Sequence, residues 1–396
     1  MAPVAPEKLK KKKWSEINRI QREEKKKWKE QNLTKKLKKQ NQDTSQLDQE
    51  DNSKNVTGNS TSNEKPPFIS TLSIAVPGSI LENAQSPELR TYLAGQIARA
   101  ACIFQYLTIM VMKQMRKKSA LESDEGLVTA RRSCVQLGRI LQYLECPQYL
   151  RKSFFPIHND LKYCGILNPL NAPHHMGPAD KFTYREGVVL NKPVRSGHGS
   201  YVNVGLLKEV HVDKLLAPGL RCTVKLVPQD NSKKLKGNIV SPTTPRRETG
   251  IYWGYTVRIA KSLSKVFSQC PYDGYDLLIG TSDKGTSVDE FTCPKYKHLL
   301  VIFGGVQGLE AAIENDTVLQ VDDPELLFHH YLNTLPNQGS KTIRTEEAIL
   351  VSLAALRPKL NPKGKCVEFK EICSEADTVK ETGDAIDANS DMSRFD

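Results

Sequence analysis

The feature that most constrains the fold is a block of five short strand patterns, which interrupts a chain of alternating strand and helix patterns. The five runs lie between residues 185 and 240 and read REGVVL, GSYVNVG, KEVHVD, RCTVKLV and KGNIV. Gly, Pro, Asn and Asp separate them, and turn signals at such close spacing are typical of a small all-β module. We therefore predict an inserted all-β domain, for which a five-stranded barrel of the OB type is one option.

The patterns on both sides of this block predict an α/β fold. An apolar strand at 68–76 precedes a helix with Ser86 as its N-cap, Pro87 at its first position and Glu88 in its first turn. Further strands are predicted at 107–112 and in the runs GIYWGYTVRIA, DLLIGT and HLLVIFG, and further helices at 134–144 and 345–356. The β domain is thus predicted to lie inside an α/β domain.

Positive charge is concentrated in one arm of the chain. Residues 1–40 hold 15 Lys and Arg against five Asp and Glu, a net charge of +10; of the totals of 57 and 45, the other residues hold 42 and 40. We predict that residues 1–66 form a disordered basic arm and linker, which suits a polyanionic partner such as RNA. Its lysine clusters at 10–13 and 35–39 are typical of nuclear localisation signals. A disordered polar tail is predicted at 359–396.

Several classes of protein are excluded by what the sequence lacks. We expect no membrane span, because no run of about 18 apolar residues occurs, and no secretory signal, because the N-terminal charges precede no apolar core. The nine cysteines form no CxxC pair, which argues against a zinc site or a disulfide framework and for a reducing compartment. The histidine pairs at 174–175 and 329–330 lack partners at ligand spacing, so no metal is expected.

Two motifs near the C-terminus are candidates for a ligand site. In FGGVQGLE at 303–310, glycines after an apolar strand allow close approach of a ligand to the backbone, although a simple turn is the alternative. The polar stretch 333–344 then leads to a helix for which Thr345 is the expected N-cap. This stretch lacks the glycines of a phosphate-binding loop, which excludes a nucleoside triphosphatase. A polar loop beside a helix N-terminus suits a ligand with several hydrogen-bonding edges.

A third candidate is a group of cations and aromatic rings that follows the β block. The group consists of Arg246, Arg247, Tyr252, Trp253, Tyr255 and Arg258. Surfaces that bind single-stranded RNA combine these residue types, and the three arginines are the predicted RNA-binding residues. The alternative is a strand with one packed face.

Longer stretches of the chain resemble the SPOUT-domain RNA methyltransferases. The resemblance covers about residues 68–358 and is carried by TLSIAVPGSILENAQSPELRTYLAGQIARA, CVQLGRILQYLECPQYLRKSFFP, YWGYTVR, LLVIFGGVQGLE and NTLPNQGSKTIRTEEAILVSLAAL. It implies an α/β knot, in which the chain passes through itself near the C-terminus, with an OB-like domain inserted. The implied limits are 67–180 and 246–358 for the knot domain and 181–245 for the inserted domain. The resemblance also implies a homodimer that binds S-adenosyl-L-methionine in the knotted loops.

The resemblance further implies particular site residues. The implied cofactor-binding residues are Lys284, Gly304, Gly308, Asn333, Thr334, Gln338, Gly339, Ser340 and Thr342. Arg90, at the start of the first helix, is the candidate catalytic residue on the acceptor side, with an ordinary surface arginine as the alternative. Relatives usually carry Arg at the position of Lys284, so a forked contact becomes a point charge here.

The implied activity is methylation of uridine N3 in 28S ribosomal RNA. The implied location is the nucleus and nucleolus, with spindle, centrosome and kinetochore association in mitosis and with spindle or centrosome proteins as partners. The alternative is a non-catalytic RNA-binding or mitotic scaffold protein that keeps the knot only as a fold. Affinity for S-adenosylmethionine separates the two hypotheses.

Overall fold

The structure, a computed structural model, describes residues 70–113, 125–194, 198–227, 235–314, 316, 318, 319, 321 and 323–360. Two compact units are formed, and the second interrupts the first in sequence. Of the described residues, the first unit holds 70–138 and 256–360 and the second holds 139–255. The predicted basic arm and linker at 1–66, and the predicted tail from residue 361 onward, lie outside the described residues.

The strands and helices alternate in the first unit, whereas strands dominate the second. In chain order the strands are β1 (Thr71–Pro77), β2 (Thr108–Met112), β3 (Tyr184–Val189), β4 (Tyr201–Asn203), β5 (Val210–Val212), β6 (Arg221–Leu226), β7 (Leu235–Val240), β8 (Thr256–Ala260), β9 (Leu277–Ser287), β10 (His298–Ile302) and β11 (His330–Asn333). The helices are α1 (Pro87–Ile103), α2 (Glu125–Glu145), α3 (Arg151–Phe154), α4 (Thr244–Thr249), α5 (Leu263–Ser268), α6 (Glu310–Glu314) and α7 (Thr345–Leu356).

A six-stranded sheet in the order β11-β9-β10-β1-β2-β8 forms the centre of the first unit. Every neighbouring pair in it runs parallel. All side chains of β2 and all but one of β1 are buried, as expected for strands covered on both faces. The prediction of an α/β fold is confirmed. The carboxyl ends of β10, β9 and β11 lie side by side at one edge of the sheet.

Helix α1 begins where its sequence predicts. The Ser86 hydroxyl accepts a hydrogen bond of 3.2 Å from the backbone N–H of Leu89, and Pro87 is the first helical residue. The apolar side chains of Ile97 and Ala101 are fully buried. On the same unit, α1 lies beside α7.

The strand predicted for GIYWGYTVRIA is shorter than expected. Only its last five residues form a strand, β8, because Gly254 adopts a φ of +80° that breaks the extended chain. A Cβ on Gly254 would lie 2.7 Å from the carboxylate of Glu145, so the turn also requires a glycine for space. Helix α2, in contrast, is longer than predicted and begins at Glu125 instead of Cys134.

The start of α7 also differs from the prediction. Arg344, not Thr345, occupies the N-cap position, and its backbone N–H donates a hydrogen bond of 3.1 Å to the carboxylate of Glu347. This is the reciprocal bond of a capping box, and the N-cap lies one residue before the predicted one. The hydroxyl of Thr345 donates instead to the carbonyl oxygen of Gly304, at 3.5 Å.

The first unit continues past its predicted end at residue 358. The Lys359 ammonium donates hydrogen bonds of 2.9 Å and 3.2 Å to the carbonyl oxygens of Asp289 and Phe291. Leu360 is buried. The last two described residues therefore belong to the packed structure rather than to the predicted tail.

Strands β3 to β7 close into a barrel in the order β3-β4-β5-β7-β6. Strands β5 and β7 pair in parallel, and the other neighbours, including β6 and β3, pair antiparallel. Its interior is filled mainly by valines, namely Val189, Val202, Val204, Val210, Val212 and Val224. The predicted all-β module of five strands is confirmed. The compact unit that holds it starts before the predicted limit of 181 and ends beyond 245, because helical residues pack with the barrel.

A buried network of charges lies within the second unit. The guanidinium of Arg221 donates hydrogen bonds of 2.7 Å to the carboxylate of Glu145 and 2.9 Å to that of Glu186. Glu186 also accepts from the Thr223 hydroxyl at 2.6 Å and from the Trp253 indole at 2.7 Å. Both buried carboxylates are thus paired, which matters because an unpaired buried charge costs several kcal/mol, about 3–5 in typical proteins.

The two histidines at 174 and 175 join this network. Nε2 of each donates to the carbonyl oxygen of Glu145, at 2.8 Å and 2.7 Å. Burial opposes the charged form of Glu145, but the hydrogen bond from His174 and the charge of Arg221 outweigh it and hold its pKa at about 2. Burial, together with the neighbouring His174, lowers the pKa of His175 to about 4. Among the described residues, no three His, Cys, Asp or Glu side chains are grouped as metal ligands.

The described cysteines are free thiols. Burial raises the pKa of Cys134 and of Cys146 to about 11, so both stay protonated at neutral pH. Within the described part of the chain, no helix is both long enough and apolar enough to cross a membrane.

Candidate functional site

Three segments meet at the edge where β10, β9 and β11 end. They are residues 281–285 within β9, the loop 304–308 after β10 and the loop 334–344 after β11. Ligands of open parallel sheets bind at this edge, because the loops that follow neighbouring strands converge there. The convergence involves segments that are far apart in the sequence.

Residues 281–285 leave the regular pairing of β9 with β11. The register shifts between Tyr331 and Leu332, so this stretch bulges out from the sheet. The hydroxyl of Thr281 donates to a carbonyl of β10 at 3.0 Å, and that of Thr286 donates to a carbonyl of β11 at 3.1 Å. The bulge is therefore fixed at both ends and presents its central residues at the edge of the sheet.

The glycine loop at 304–308 is closed by its own backbone. The N–H of Gly308 donates to the carbonyl of Gly305 at 2.9 Å, and Gly308 has a φ of +73°, which favours glycine. A Cβ on Gly304 would lie 2.8 Å from the carbonyl carbon of Gly308 and 2.9 Å from the nitrogen of Leu309. The closed loop thus requires glycine at position 304, because its own backbone fills the space that a side chain would occupy.

An ion pair joins the bulge to Glu310, which lies two residues after the glycine loop. The Lys284 ammonium lies 3.0 Å from a carboxylate oxygen of Glu310, and the two side chains are 73% and 34% exposed. The hydrogen bond to Glu310 raises the pKa of Lys284, so its ammonium is charged at neutral pH. Glu310 was missed in the sequence analysis, although it ends the motif FGGVQGLE. Its position two residues after the last glycine was the available signal.

Asn333 connects the end of β11 to the bulge. Its side-chain N–H donates to the carbonyl oxygen of Asp283 at 3.0 Å, and its side-chain oxygen accepts from the N–H of Leu335 at 3.1 Å. The hydroxyl of Thr334 shares a hydrogen bond of 2.6 Å with that of Ser352 in α7. The structure therefore brings Asn333 and Lys284 to the same bulge, as neighbours of Asp283.

The remaining predicted cofactor residues lie on an exposed loop. The Gln338 amide donates to the carbonyl of Ser340 at 3.0 Å, and the Ser340 hydroxyl donates to the carbonyl of Thr342 at 2.8 Å. A Cβ on Gly339 would meet no atom within 4 Å. The loop is thus held by its own hydrogen bonds and leaves open space beside Gly339.

The predicted arginines occupy separate places. The Nε of Arg90 donates to the carbonyl of Ala84 at 3.2 Å, in the turn before α1. Arg246 and Arg247 lie on α4 in the second unit, whereas Arg258 lies on β8 in the first. The three predicted RNA-binding arginines are therefore divided between two units.

The aromatic residues among these arginines are part of the core. Tyr252, Trp253 and Tyr255 are 4%, 9% and 5% exposed. The Tyr255 hydroxyl donates to the carbonyl of Leu141 at 2.9 Å, which leaves that ring with its polar atom satisfied inside the unit. The interpretation of these rings as an RNA-binding surface is wrong, and the alternative of a packed face is correct.

Comparison with known proteins places the chain in a family. The family described as "Putative RNA methyltransferase" matches residues 71–356, which include every segment of the candidate site. The chain is 59% identical over 316 residues to the 28S rRNA (uridine-N(3))-methyltransferase of Drosophila melanogaster, covering 76% of this chain and 65% of the relative. It is 56% identical over 299 residues to the protein of the same name in Homo sapiens, covering 74% of this chain and 80% of the relative.

A solved structure is also similar in part. It is a putative RNA methyltransferase of the TrmH family from Porphyromonas gingivalis, with 9% identity, a TM-score of 0.23 and coverage of 76% of this chain and 64% of its own. The family match confirms the sequence-based resemblance to RNA methyltransferases, and the chain belongs to that family.

Proposed function

We propose that the protein uses S-adenosylmethionine to methylate N3 of uridine in 28S ribosomal RNA. The observation that carries the proposal is the meeting of residues 281–285, 304–308 and 334–344 at one sheet edge within the family-matched segment. The relatives from fly and human are named for this reaction. The chain spans 65% of the fly relative and 80% of the human one, so the activity of those whole proteins is assigned here as a proposal.

The charges at the site suit the methionine part of S-adenosylmethionine. That part carries a carboxylate and an ammonium group, and Lys284 and Glu310 offer the complementary charges 3.0 Å apart. Because both side chains are partly exposed, they are free to separate and to pair with a zwitterion. Lys284 is therefore the proposed carboxylate partner, and Glu310 the proposed partner of the ammonium.

The exposed loop suits the nucleoside part. Open space beside Gly339 leaves room for a flat ring against the backbone. Gly308, Thr334, Gln338, Ser340 and Thr342 supply backbone groups, hydroxyls and an amide that are proposed to bind the adenine and ribose. Asn333 is proposed to hold the loop in place through its bond to Asp283.

The chain's main task in methyl transfer is alignment. S-adenosylmethionine, when bound, would supply an electrophilic methyl group, which passes to a nucleophile in line with the breaking carbon–sulfur bond and leaves S-adenosylhomocysteine. A uracil N3 becomes nucleophilic once its imide proton leaves, and a cation near O2 or O4 stabilises the resulting charge. Arg90 is proposed as that cation. One of its five N–H donors is used by Ala84, which fixes the guanidinium and leaves the others for the acceptor.

We also propose that the first unit is an α/β knot and that the barrel of the second unit is of the OB type. An α/β knot is supported by the path of the chain after β11, which turns back so that Thr345 contacts the glycine loop and Lys359 contacts the segment between β9 and β10. An OB-type barrel is supported by the strand order, in which the first strand pairs with the fourth and the third pairs in parallel with the fifth.

A homodimer is proposed through the exposed face of α1 and α7. Leu89, Tyr92 and Ile103 of α1 are 55%, 45% and 53% exposed, and Leu350 of the neighbouring α7 is 46% exposed. Large apolar side chains on two adjacent helices form a patch of the kind that protein interfaces cover. A second copy of the chain is the proposed cover.

We propose that the protein is located in the nucleus and nucleolus and has a role in mitosis. Nuclear and nucleolar location follows from the proposed ribosomal substrate and from the lysine clusters of the basic arm. Contact with spindle, centrosome and kinetochore proteins is proposed from the resemblance alone.

The function is tested with the purified full-length protein, radiolabelled S-adenosylmethionine and 28S ribosomal RNA from cells depleted of the protein. We expect label in the RNA and N3-methyluridine in nucleoside mass spectrometry, and neither product without the protein. Calorimetry on the same sample measures cofactor affinity. Absence of both cofactor binding and RNA methylation would favour the scaffold alternative.

A further inference from the structure

A buried hydroxyl beside the candidate site has no hydrogen-bond partner among the described residues. It belongs to Tyr331 of β11, which is 8% exposed. Strand β11 shifts its register against β9 directly after Tyr331, so this residue lies at the base of the bulge 281–285. Buried polar groups in folded proteins nearly always have partners, so an exception next to a candidate site points to a ligand that supplies one.

The ring of Tyr331 packs in the core of the first unit. It stacks on the ring of Phe328, with centroids 5.9 Å apart and planes 7° apart. Leu309 and Ala312, on either side of Glu310, belong to the same core cluster. Tyr331 therefore lies on the face of the sheet that α6 covers, and α6 begins with Glu310.

The hydroxyl of Tyr331 lies among the polar groups of the site. Burial raises its pKa, so the phenol keeps its proton at neutral pH and can donate a hydrogen bond. The nearby Ser282 hydroxyl lowers that pKa, but it already donates to the Asp283 carboxylate and accepts from the N–H of Lys284, both at 3.2 Å. The charges of Glu310 and Lys284 also act on the phenol, which places it near their ion pair.

We propose that the Tyr331 hydroxyl donates a hydrogen bond to the carboxylate of bound S-adenosylmethionine, beside Lys284, and so makes the site selective for ligands that carry this carboxylate. The inference rests on the proposed function and deepens it, because it adds a residue that sets ligand specificity. Separation of the exposed pair of Lys284 and Glu310, as proposed above, opens the side of the hydroxyl on which they lie. The carboxylate then supplies the partner that the buried donor lacks, in a bond strengthened by charge.

Calorimetry of the full-length protein with S-adenosylmethionine tests the proposal. The variant is Tyr331→Phe, which keeps the stacked ring and removes only the hydroxyl. We expect its cofactor affinity to fall about 10- to 100-fold, as for one lost hydrogen bond to a charged group. Its melting temperature without ligand should be equal or higher, because an unpaired buried group is removed. A purely structural hydroxyl would give the opposite result, with a lower melting temperature and unchanged affinity.

Decarboxylated S-adenosylmethionine identifies the ligand group that Tyr331 binds. This compound keeps the nucleoside, the sulfonium and the ammonium group but lacks the carboxylate. We expect Tyr331→Phe and the unchanged protein to bind it with equal affinity, measured by competition against radiolabelled S-adenosylmethionine. The variant should thus lose selectivity between the two compounds.

Tyr106→Phe is the matched control. Tyr106 is also buried in the first unit, but it lies just before β2, at the edge of the sheet where the strands begin. We expect it to leave cofactor affinity unchanged. Tyr331→Met, which also lacks the hydroxyl, tests the proposal if Tyr331→Phe does not fold.

The proposal is overturned if the folded Tyr331 variant binds S-adenosylmethionine as tightly as the unchanged protein. An equal loss of affinity for the decarboxylated compound would overturn it too, because the hydroxyl would then contact another part of the ligand. Binding to the unchanged protein is measured first. An unchanged protein without affinity for S-adenosylmethionine refutes the proposed function together with this inference, whereas normal affinity in Tyr331→Phe refutes this inference alone.

Discussion

The side-chain amide of Asn333 donates a 3.0 Å hydrogen bond to the carbonyl oxygen of Asp283, a residue 50 positions earlier in the chain. This bond ties the end of β11 to the bulge that carries Lys284. Since the exposed loop 334–344 starts directly after Asn333, the bond sets where that loop begins. The bond is thus one of the contacts between remote segments that position the candidate site.

Asn333→Ala removes that bond, and we expect cofactor binding to weaken by about 1–3 kcal/mol, because the carbonyl of Asp283 loses its partner and the loop loses its anchor. Calorimetry with S-adenosylmethionine measures the loss. Lys341→Ala is the control, since Lys341 is an exposed residue of the same loop to which no cofactor contact is assigned. Equal affinity of Asn333→Ala and the unchanged protein would contradict the anchoring role.

Two glycines of the site respond differently to the same change. Gly304→Ala places a Cβ about 2.8 Å from the carbonyl carbon of Gly308, and we expect a loss of about 1–3 kcal/mol in the free energy of unfolding together with weaker cofactor binding. Gly339→Ala places its Cβ in open space, so stability should be unchanged and only cofactor affinity should fall. Thermal unfolding and calorimetry on both variants separate the effects. Similar melting temperatures for the two would refute this distinction.

Lys284→Met removes a charge from an exposed ion pair. Exposed pairs contribute about 0–1 kcal/mol, so the melting temperature should hardly change. Cofactor affinity should fall about tenfold, because a charge-assisted bond to a carboxylate is lost. Lys284→Arg, which restores the charge, should recover the affinity. A cofactor affinity that is the same in all three proteins would exclude Lys284 from the site.

The second unit should lose stability in mild acid because of His175. Its folded pKa of about 4 lies below the ordinary 6.5, so the folded unit keeps it neutral while the unfolded chain takes up a proton. Stability is therefore full above pH 6.5 and falls as the pH drops toward 4, by on the order of 3 kcal/mol in total. Glu145, with a pKa of about 2, adds a further loss only below its ordinary value of 4.5.

Urea unfolding followed by tryptophan fluorescence measures this effect, since Trp253 is buried in the second unit. His175→Asn removes the titrating group and keeps an N–H for the carbonyl of Glu145. We expect a flatter dependence of stability on pH between 6.5 and 4 for that variant. Parallel curves for the two proteins would show that His175 is not the source.

The exposed apolar face of α1 and α7 predicts that a charged side chain placed there will dissociate the proposed dimer. Leu89→Glu puts a charge into the proposed interface, and we expect sedimentation to show a shift from dimer to monomer without loss of helix content. Leu220→Glu, at an exposed leucine of the second unit, is the control. A dimer that persists in Leu89→Glu would place the interface elsewhere, and a monomeric unchanged protein would refute the homodimer.

Local patterns were enough to predict the two architectures. Strands β1, β2 and β10 are short apolar runs, which is the pattern of strands buried on both faces. The barrel strands alternate valine with polar residues between turn signals, which is the pattern of strands with one buried face. In both cases the burial of the strand can be predicted from consecutive residues. Strand β11 was not assigned, because HYLN is only four residues long and begins with histidine. The bulge at 281–285 was not foreseen either, since register is set by the partner strand rather than by the bulging residues.

The contacts of the candidate site were harder to predict. Lys284 and Glu310 are 26 positions apart, and neither belongs to a pattern with the other. The prediction that the aromatic residues around Trp253 form an RNA-binding surface was wrong for a different reason. The composition of this cluster fits an RNA surface and a buried core equally well.

The interruption of the first unit by the second has a consequence for how the protein is made. Thr71 in β1 contacts His298 in β10, which lies 227 positions later, so the central pair of the sheet cannot form until residue 302 has left the ribosome. All five barrel strands, by contrast, are present once residue 240 has been synthesised. Translation thus orders the assembly of the two units, and the edge of β1 that pairs with β10 stays open until β10 is made. During that interval the nascent chain is most exposed to aggregation and most dependent on chaperones.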